Sequence, residues 1–430
     1  MSVSTDILHY GHIRIMQKAA ALGELTVGIL TDNVICQYRR PSLVPFEERW
    51  QMIKALGFVS RVIEKDTLSY RPIIEQYHPD IIVHGDEWKT GSKAKLRWEV
   101  IRLLEQMGGE LIEFPYTKDE NINALERDVF RRYAIPEIRR GMLRRLLKLK
   151  ASVRVLEAHS GLTGLVAENA KVHMCNGEER EFDAMWISSL CDSSSRGKPD
   201  IELVDWSSRI DRINEIMEVT TKPIIVDGDT GGLTEHFVYN VQTLERLGVS
   251  AVIIEDKTGL KKNSLFGTEV KQTQADPENF GEKIRLAKHA LKTSDFMIFA
   301  RIESLILEQG MEDALMRAGI YVNAGADGIM IHSRQKSPDE VFEFCGKFRH
   351  TYPDIPIVAI PTTYNQIREE ELIAHGINII IHANHLLRSA FPAMTRTAEA
   401  ILRDGCSGQD AEKYCMPIKE IINFIPVEGE

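Results

Sequence analysis

No stretch of this chain approaches the roughly 18 consecutive apolar residues of a membrane-spanning helix, and its start lacks the basic-then-apolar pattern of a secretory signal. Cysteine is sparse. Cys36, Cys175, Cys191, Cys345, Cys406 and Cys415 are scattered without a Cys-x-x-Cys spacing or a paired framework, which suits reduced thiols rather than a disulfide scaffold. Surplus positive charge is also missing: a formal net charge of -10 leaves no excess of Lys and Arg to neutralise phosphates, so general nucleic-acid binding is not expected. Apolar residues are not lacking, and 43% apolar with 27% charged residues allows a buried core and excludes broad disorder. The expectation is a soluble cytoplasmic protein. Its 430 residues suffice for two ordinary domains, or for a barrel of about 250 residues with a smaller partner.

Apolar strand-like and helix-like segments alternate in the first part: Leu25 to Leu30, Glu47 to Leu56, Ile81 to His84, Glu99 to Met107 and Glu110 to Phe114. Such alternation indicates a small parallel α/β sheet, placed in residues 1–131. Residues 132–150 are rich in Arg, Lys and Leu and read as one amphipathic linker helix, its basic face turned to solvent beside a domain boundary. In 151–430 eight short apolar runs recur with helices between them: Val153 to Glu157, Ala184 to Ile187, Pro223 to Asp227, Ala251 to Ile254, Phe296 to Ala300, Gly328 to Ile331, Ile357 to Ile360 and Ile377 to Ile381. That periodicity predicts a (β/α)8 barrel, whose active site is built by the polar residues just after the strands.

Those residues are chemically capable. The segment Glu255-Asp-Lys-Thr-Gly-Leu-Lys-Lys-Asn-Ser-Leu265 puts a carboxylate at a strand end, then a glycine-hinged loop with lysines and an asparagine. This suits a metal site closed over an anionic substrate by a lid. Trp186 and Ser188, Asp227 and Asp229, Arg301 and Glu303, and His332 with Ser333 occupy other strand ends. Neighbouring acidic residues can hold Mg2+ largely through water, Arg301 can grip a carboxylate or phosphate, and His332 can add a donor. Each has an ordinary reading: Asp227 as a turn residue, His332 as a structural histidine, Arg301 and Glu303 as each other's partners. Recurrence at successive strand ends favours a site.

Taken together and in order, Leu156-Glu-Ala-His-Ser-Gly-Leu, Trp186-Ile-Ser-Ser-Leu, Asp227-Gly-Asp-Thr-Gly-Gly, the lid segment, Ala300-Arg-Ile-Glu-Ser and Ile331-His-Ser-Arg resemble the phosphoenolpyruvate mutase family of the isocitrate lyase superfamily, over roughly Leu143 to Phe424. The resemblance implies interconversion of phosphoenolpyruvate and phosphonopyruvate with Mg2+. It implies Asp227 as metal anchor with Asp229 and Glu255 holding its waters, and Asp200 as nucleophile or phosphoryl-stabilising carboxylate. It further implies Lys261 and Asn263 on the lid, Arg301 and His332 at the phosphoryl group, and Trp186, Ser188, Ser189, Leu190 and Ser333 around the substrate. Lyases of the superfamily carry a lid cysteine, and none lies between Glu255 and Thr273. A related phosphonopyruvate hydrolase has its lid asparagine altered, so Asn263 favours the mutase; a hydrolase barrel with a structural N-terminal domain is the alternative. A phosphonopyruvate decarboxylase to draw off the product, and a homodimer or homotetramer made by exchanging a last helix within Ser389 to Arg403, are further implications.

His9-Tyr-Gly-His12 and Val83-His-Gly-Asp-Glu-Trp88 resemble the cytidylyltransferases of the nucleotidyltransferase superfamily, a Rossmann-like fold. That resemblance implies CTP as co-substrate, with His9, His12, Arg39 or Arg40, Arg49 and Asp86 around it, a helix N-terminus at the phosphates, and a phosphonate as acceptor. Two departures stand against activity. Only Met1 to Thr5 precede Asp6, so the first strand is expected to be nearly absent, and Asp119-Glu-Asn-Ile-Asn123 replaces a hydroxyl-bearing segment. Asn121 and Asn123 keep donors there, whereas Asp119 and Glu120 repel a triphosphate.

Overall fold

A computed structural model describes residues 1–4, 7–38, 40–89, 94–115, 120–174 and 179–425. Val, Ile and Ala dominate the strands of its larger domain, as expected where helices cover one face of a parallel sheet and the other face turns inward. These strands are β6 (Val153–Glu157), β9 (Ala184–Ile187), β10 (Ile224–Asp227), β11 (Ala251–Glu255), β14 (Met297–Ile302), β15 (Gly328–Ile331), β16 (Ile357–Ala359) and β17 (Ile379–His382). All pair in parallel, and they close in the order β10-β11-β14-β15-β16-β17-β6-β9. The barrel interior is filled by Val155, Trp186, Ile225, Ile253, Phe299, Met330, Val358, Ile381 and their neighbours, so it is a packed core. Short antiparallel pairs decorate it: β7 (Lys171–His173) with β8 (Glu179–Glu181), and β12 (Lys257–Thr258) with β13 (Thr273–Gln274).

The N-terminal domain has β1 (Ser2–Val3), β2 (Thr26–Leu30) and β3 (Arg61–Lys65) in one parallel sheet, and β4 (Ile81–Gly85) with β5 (Glu110–Phe114) in another. Val3 and Val83 share one apolar cluster, which brings the two halves together. The first strand is short but present: Ser2 lies against Gly28, and the Met1 ammonium donates to the Thr26 carbonyl at 3.0 Å. Strand β3 was not anticipated, because Arg61-Val-Ile-Glu-Lys65 has only two apolar residues between charges.

The linker helix, Pro136–Leu149, is not solvated. Its Met142, Leu143 and Leu146 join the apolar cluster of the barrel interior. Arg139 and Arg140 are buried; Arg139 Nη2 donates to the Thr220 carbonyl at 2.6 Å and Arg140 Nη1 to the Glu245 carbonyl at 3.0 Å. Both acceptors lie in the segments that lead into β10 and β11, so the basic face caps backbone at the N-terminal end of the barrel. Burial pushes the Arg139 guanidinium down to about 10. Between the domains, Arg145 meets Asp32 at 3.4 Å and Arg40 meets Glu168 at 2.6 Å. No helix among the described residues is long and apolar enough to cross a membrane.

Candidate active site

The turn after β10 sets the first wall of the site. Gly228 sits so close to β11 that a Cβ would lie 2.8 Å from Val252 Cγ2 and Ile254 Cγ2, and Asp229 adopts φ 52, a left-handed conformation uncommon for a residue with a side chain. Asp227 and Asp229 are thereby turned into the barrel mouth, and both are buried. The start of the next wall, the helix Ser189–Ser195, is tied to them: Ser189 N–H and Oγ donate to Asp227 Oδ2 at 3.2 and 2.8 Å.

The lid segment lies over these groups. Lys261 Nζ donates to Ser189 Oγ at 2.7 Å, to Asp200 Oδ1 at 2.9 Å and to Asp229 Oδ1. Asn263 Nδ2 donates to Asp200 Oδ2 at 2.9 Å, so both lid residues converge on one carboxylate. Lys257, at the root of the lid, ion-pairs with Glu255 and Glu303 at 3.2 Å each and also donates to the Lys262 carbonyl at 2.9 Å and to Ser264 Oγ at 3.0 Å. The root is therefore bonded to the arc that it carries.

On the far side, Arg301 Nε donates to Glu303 Oε1 at 2.6 Å and its Nη2 to Ser264 Oγ at 2.6 Å. The same Nη2 lies 2.9 Å from His332 Nδ1. A guanidinium only donates, so Nδ1 accepts, and the imidazole proton is assigned to Nε2. Burial first, and then the Arg301 charge, lower the His332 pKa, which keeps the ring neutral. Although burial opposes it, Arg301 and Lys257 hold Glu303 well below the usual carboxylate range.

Trp186, Ser188, Ser189, Leu190, Asp200, Asp227, Glu255, Lys261, Asn263, Arg301 and His332 line one cavity of about 60 Å³. That volume holds a few waters at most, so a larger substrate requires the lid to lift. Two expected members are absent from this wall. Ser333 turns away, its Oγ donating to Glu340 Oε2 at 2.6 Å. Asp229 lies beneath Lys261. A residue that was not anticipated, Arg209, backs the acidic pair: Nη1 donates to Asp229 Oδ2 at 2.8 Å and Nη2 to the Asp227 carbonyl at 2.6 Å. Burial would raise Asp229, but Lys261 and Arg209 hold it at about 2.

The oxygen donors suit a hard divalent cation. Glu255 is 1% exposed, and burial pushes it up to about 7. Lys257 stands 3.2 Å from its Oε1 and Arg301 3.5 Å from its Oε2, yet Oε1 accepts no hydrogen bond, so a lone pair is left that Mg2+ or its water would satisfy. A second group of donors, Glu157, His159 and Cys191, has atoms within 4.8 Å of one another. There the demands are met by protein: Glu157 accepts the Leu387 N–H at 2.9 Å, Glu157 and His159 are 3.2 Å apart, and Cys191 donates to the Ala383 carbonyl at 3.4 Å. Burial raises that thiol far above its ordinary range.

In the N-terminal domain His9 caps the helix Tyr10–Ala20 by accepting Gly11 N–H at 3.1 Å, and its ring lies 3.7 Å from that of His12. His84 stacks on Trp88 at 3.7 Å, and all four rings line a cavity of about 1090 Å³. Arg49 and Asp86 do not line it. Arg49 is spent on the Val44 and Leu30 carbonyls at 3.1 and 2.9 Å and on Asp32 at 2.5 Å. Arg40 bridges to the barrel instead. Arg39, Asp119 and the side chains of Glu120, Asn121 and Asn123 lie outside the described residues.

The family model of phosphoenolpyruvate phosphomutase matches residues 143–402, and that of cytidylyltransferase-like domains matches residues 4–126. Among curated proteins, the chain is 34% identical to a phosphoenolpyruvate phosphomutase of Streptomyces hygroscopicus, over 67% of this chain and 88% of the relative. It is also 34% identical to a phosphonopyruvate hydrolase of Variovorax sp., over 65% of this chain and 95% of that protein. A crystal structure of phosphonopyruvate hydrolase with oxalate and Mg2+ superposes with a TM-score of 0.58 at 32% identity, over 66% of this chain and 94% of the other.

Proposed function

Because the chain belongs to the phosphoenolpyruvate phosphomutase family, we propose that its barrel interconverts phosphoenolpyruvate and phosphonopyruvate. Overall identity does not separate this reaction from hydrolysis, since relatives of both kinds stand at 34%. The observation that carries the choice is local: Asn263 and Lys261 both bond Asp200. The family resemblance of the lid segment implies that a hydrolase has this asparagine altered, and here it helps to cover the carboxylate where water would otherwise compete.

In the proposed reaction the phosphorus–oxygen bond of phosphoenolpyruvate breaks, its electron pair stays on the pyruvate enolate, and the enolate C3 then bonds phosphorus. Trp186, Ser188 and Leu190 orient the pyruvyl group, and Ser189 fixes the Asp227 carboxylate. Asp200 faces the travelling phosphoryl group, either bonding it or guiding it. Arg301 and the Nε2–H of His332 stabilise its charge. Lys261 and Asn263 seal the site against water. Asp227, Asp229 and Glu255 would hold Mg2+, which when bound neutralises carboxylate and enolate charge. A decarboxylase that consumes phosphonopyruvate is proposed as the enzyme that draws the reaction towards the phosphonate. The barrel is proposed to act as a homodimer or homotetramer.

Incubation with phosphonopyruvate and Mg2+, followed by phosphorus NMR, tests this: phosphoenolpyruvate is the expected product, whereas pyruvate with free phosphate would establish the hydrolase instead. Asp200→Ala should lower turnover by about 10³-fold or more with the fold intact; full activity would refute the role of Asp200.

For the N-terminal domain we propose CTP-dependent cytidylyl transfer to a phosphonate, supported by His9 and His12 at a helix N-terminus facing a large cavity. Binding to the native state raises stability, so millimolar CTP with Mg2+ should raise the melting temperature; no shift would leave the domain a structural one.

A further inference from the structure

A cavity of about 1090 Å³ is not enclosed by the N-terminal domain alone. That domain supplies His9, His12, Lys65, Tyr70, His84 and Trp88. The barrel side supplies Lys150, Ser152 and Arg154, which lead into or lie in β6, Arg180 and Glu181 on β8, and Glu369, which opens the helix Glu369–Ala374 between β16 and β17. The N-terminal end of a (β/α)8 barrel ordinarily serves stability. Here its charged groups are set in fixed positions along a chamber. Asp183 takes Lys150 Nζ at 2.5 Å and the Arg154 N–H at 2.9 Å, and Glu369 grips Arg154 Nε at 2.7 Å. Arg180 stands 3.5 Å from Glu370 with a third of its side chain exposed. Ser152 lines the same wall, with its Oγ shut off from solvent.

We infer that the N-terminal rim of the barrel is the second half of the N-terminal domain's ligand site, so that a nucleoside triphosphate bound there lies against both domains. The inference rests on the nucleotide reading proposed above and adds the barrel as part of the site. Pockets for small ligands span roughly 300–1,000 Å³, so a chamber at the upper end of that range has room for a nucleotide with a small anionic acceptor beside it. Basic and acidic groups alternate on the barrel wall, which suits an acceptor carrying an anion and an ammonium group together. The packed barrel interior separates this chamber from the Asp227–Glu255–Arg301 mouth. A product of one site therefore reaches the other through solvent.

Calorimetric titration of the full chain with CTP and Mg2+ tests the inference, using Arg180→Glu on the hairpin and Ser152→Trp, which fills the chamber from the barrel side. Each variant is expected to weaken CTP binding by about tenfold or more, while phosphonopyruvate turnover at the opposite end stays within about twofold of wild type and shows that the barrel is folded. If Ser152→Trp loses that turnover, Arg180→Glu decides. CTP binding that both folded variants retain at wild-type strength overturns the inference alone. Absence of CTP binding by the wild-type chain overturns the nucleotide reading and this inference with it.

Discussion

A guanidinium removed from water must find acceptors, and Arg209 finds them in the Asp229 carboxylate and the Asp227 carbonyl. It thereby fixes the turn whose strained residue, Asp229, holds φ 52. Arg209→Met should cost about 3 kcal/mol, the range seen when one partner of a buried pair is removed, measured by urea unfolding. Because Lys261 also bonds Asp229, the carboxylate keeps one partner, and a cost below about 1 kcal/mol would show that Lys261 suffices. Nothing in the sequence marks Arg209, which sits within the helix Trp206–Glu218 among other charged residues. The Asp227-Gly-Asp-Thr-Gly-Gly turn is legible because close approach and left-handed backbone restrict which residues can stand there. Ser333 misled for the converse reason: adjacency to His332 places its backbone, but Glu340 decides where its hydroxyl points.

At the scale of elements, legibility followed the hydrophobic pattern. Barrel strands such as β9 and β15 have the expected bounds because each is an uninterrupted apolar run followed by a polar site residue, Ser188 or His332. The Pro136–Leu149 helix has the expected period, yet its basic face is buried: what its arginines bond are carbonyls distant in sequence, which no local pattern reveals. A similar distant tie joins β5 to the segment after β4. Glu113 accepts Trp88 Nε1–H at 2.7 Å and a two-point grip from Arg97 at 2.9 and 2.8 Å. Bonding to Arg97, reinforced by Trp88 against the opposing effect of burial, holds Glu113 at about 2. A depressed carboxylate stabilises the fold above its unfolded pKa, and that contribution disappears as pH falls through the folded value. The stability difference between wild type and Glu113→Gln should thus be full near pH 6 and shrink from about pH 4 towards about pH 2, read by denaturation followed through tryptophan fluorescence. A gap constant over that range would show that Glu113 acts by shape rather than charge.

For the whole molecule, the feature left open is the final helical segment. A barrel helix should bury an apolar stripe on the sheet, but in His385–Asp404 only Ala400 is buried. Phe391, Met394 and Leu402 are 67%, 60% and 84% exposed, and Ile418 and Ile422 of the following helix are 78% and 64% exposed. The start of the long helix meets the barrel through Leu386 and Leu387, and its end lies against the short Gln409–Glu412 helix. Large apolar side chains returned to a partner surface are worth about 1.5–3 kcal/mol each, so together these residues can drive a stable association of the kind expected for a chain that exchanges its last helix. Charge on that stripe would have to be buried unpaired at the interface. Sedimentation velocity should therefore find an oligomer for the wild-type chain and a monomer for Phe391→Glu with Leu402→Glu. A monomeric wild type, or a double variant that sediments unchanged, would mean that this face is covered by something other than a second copy.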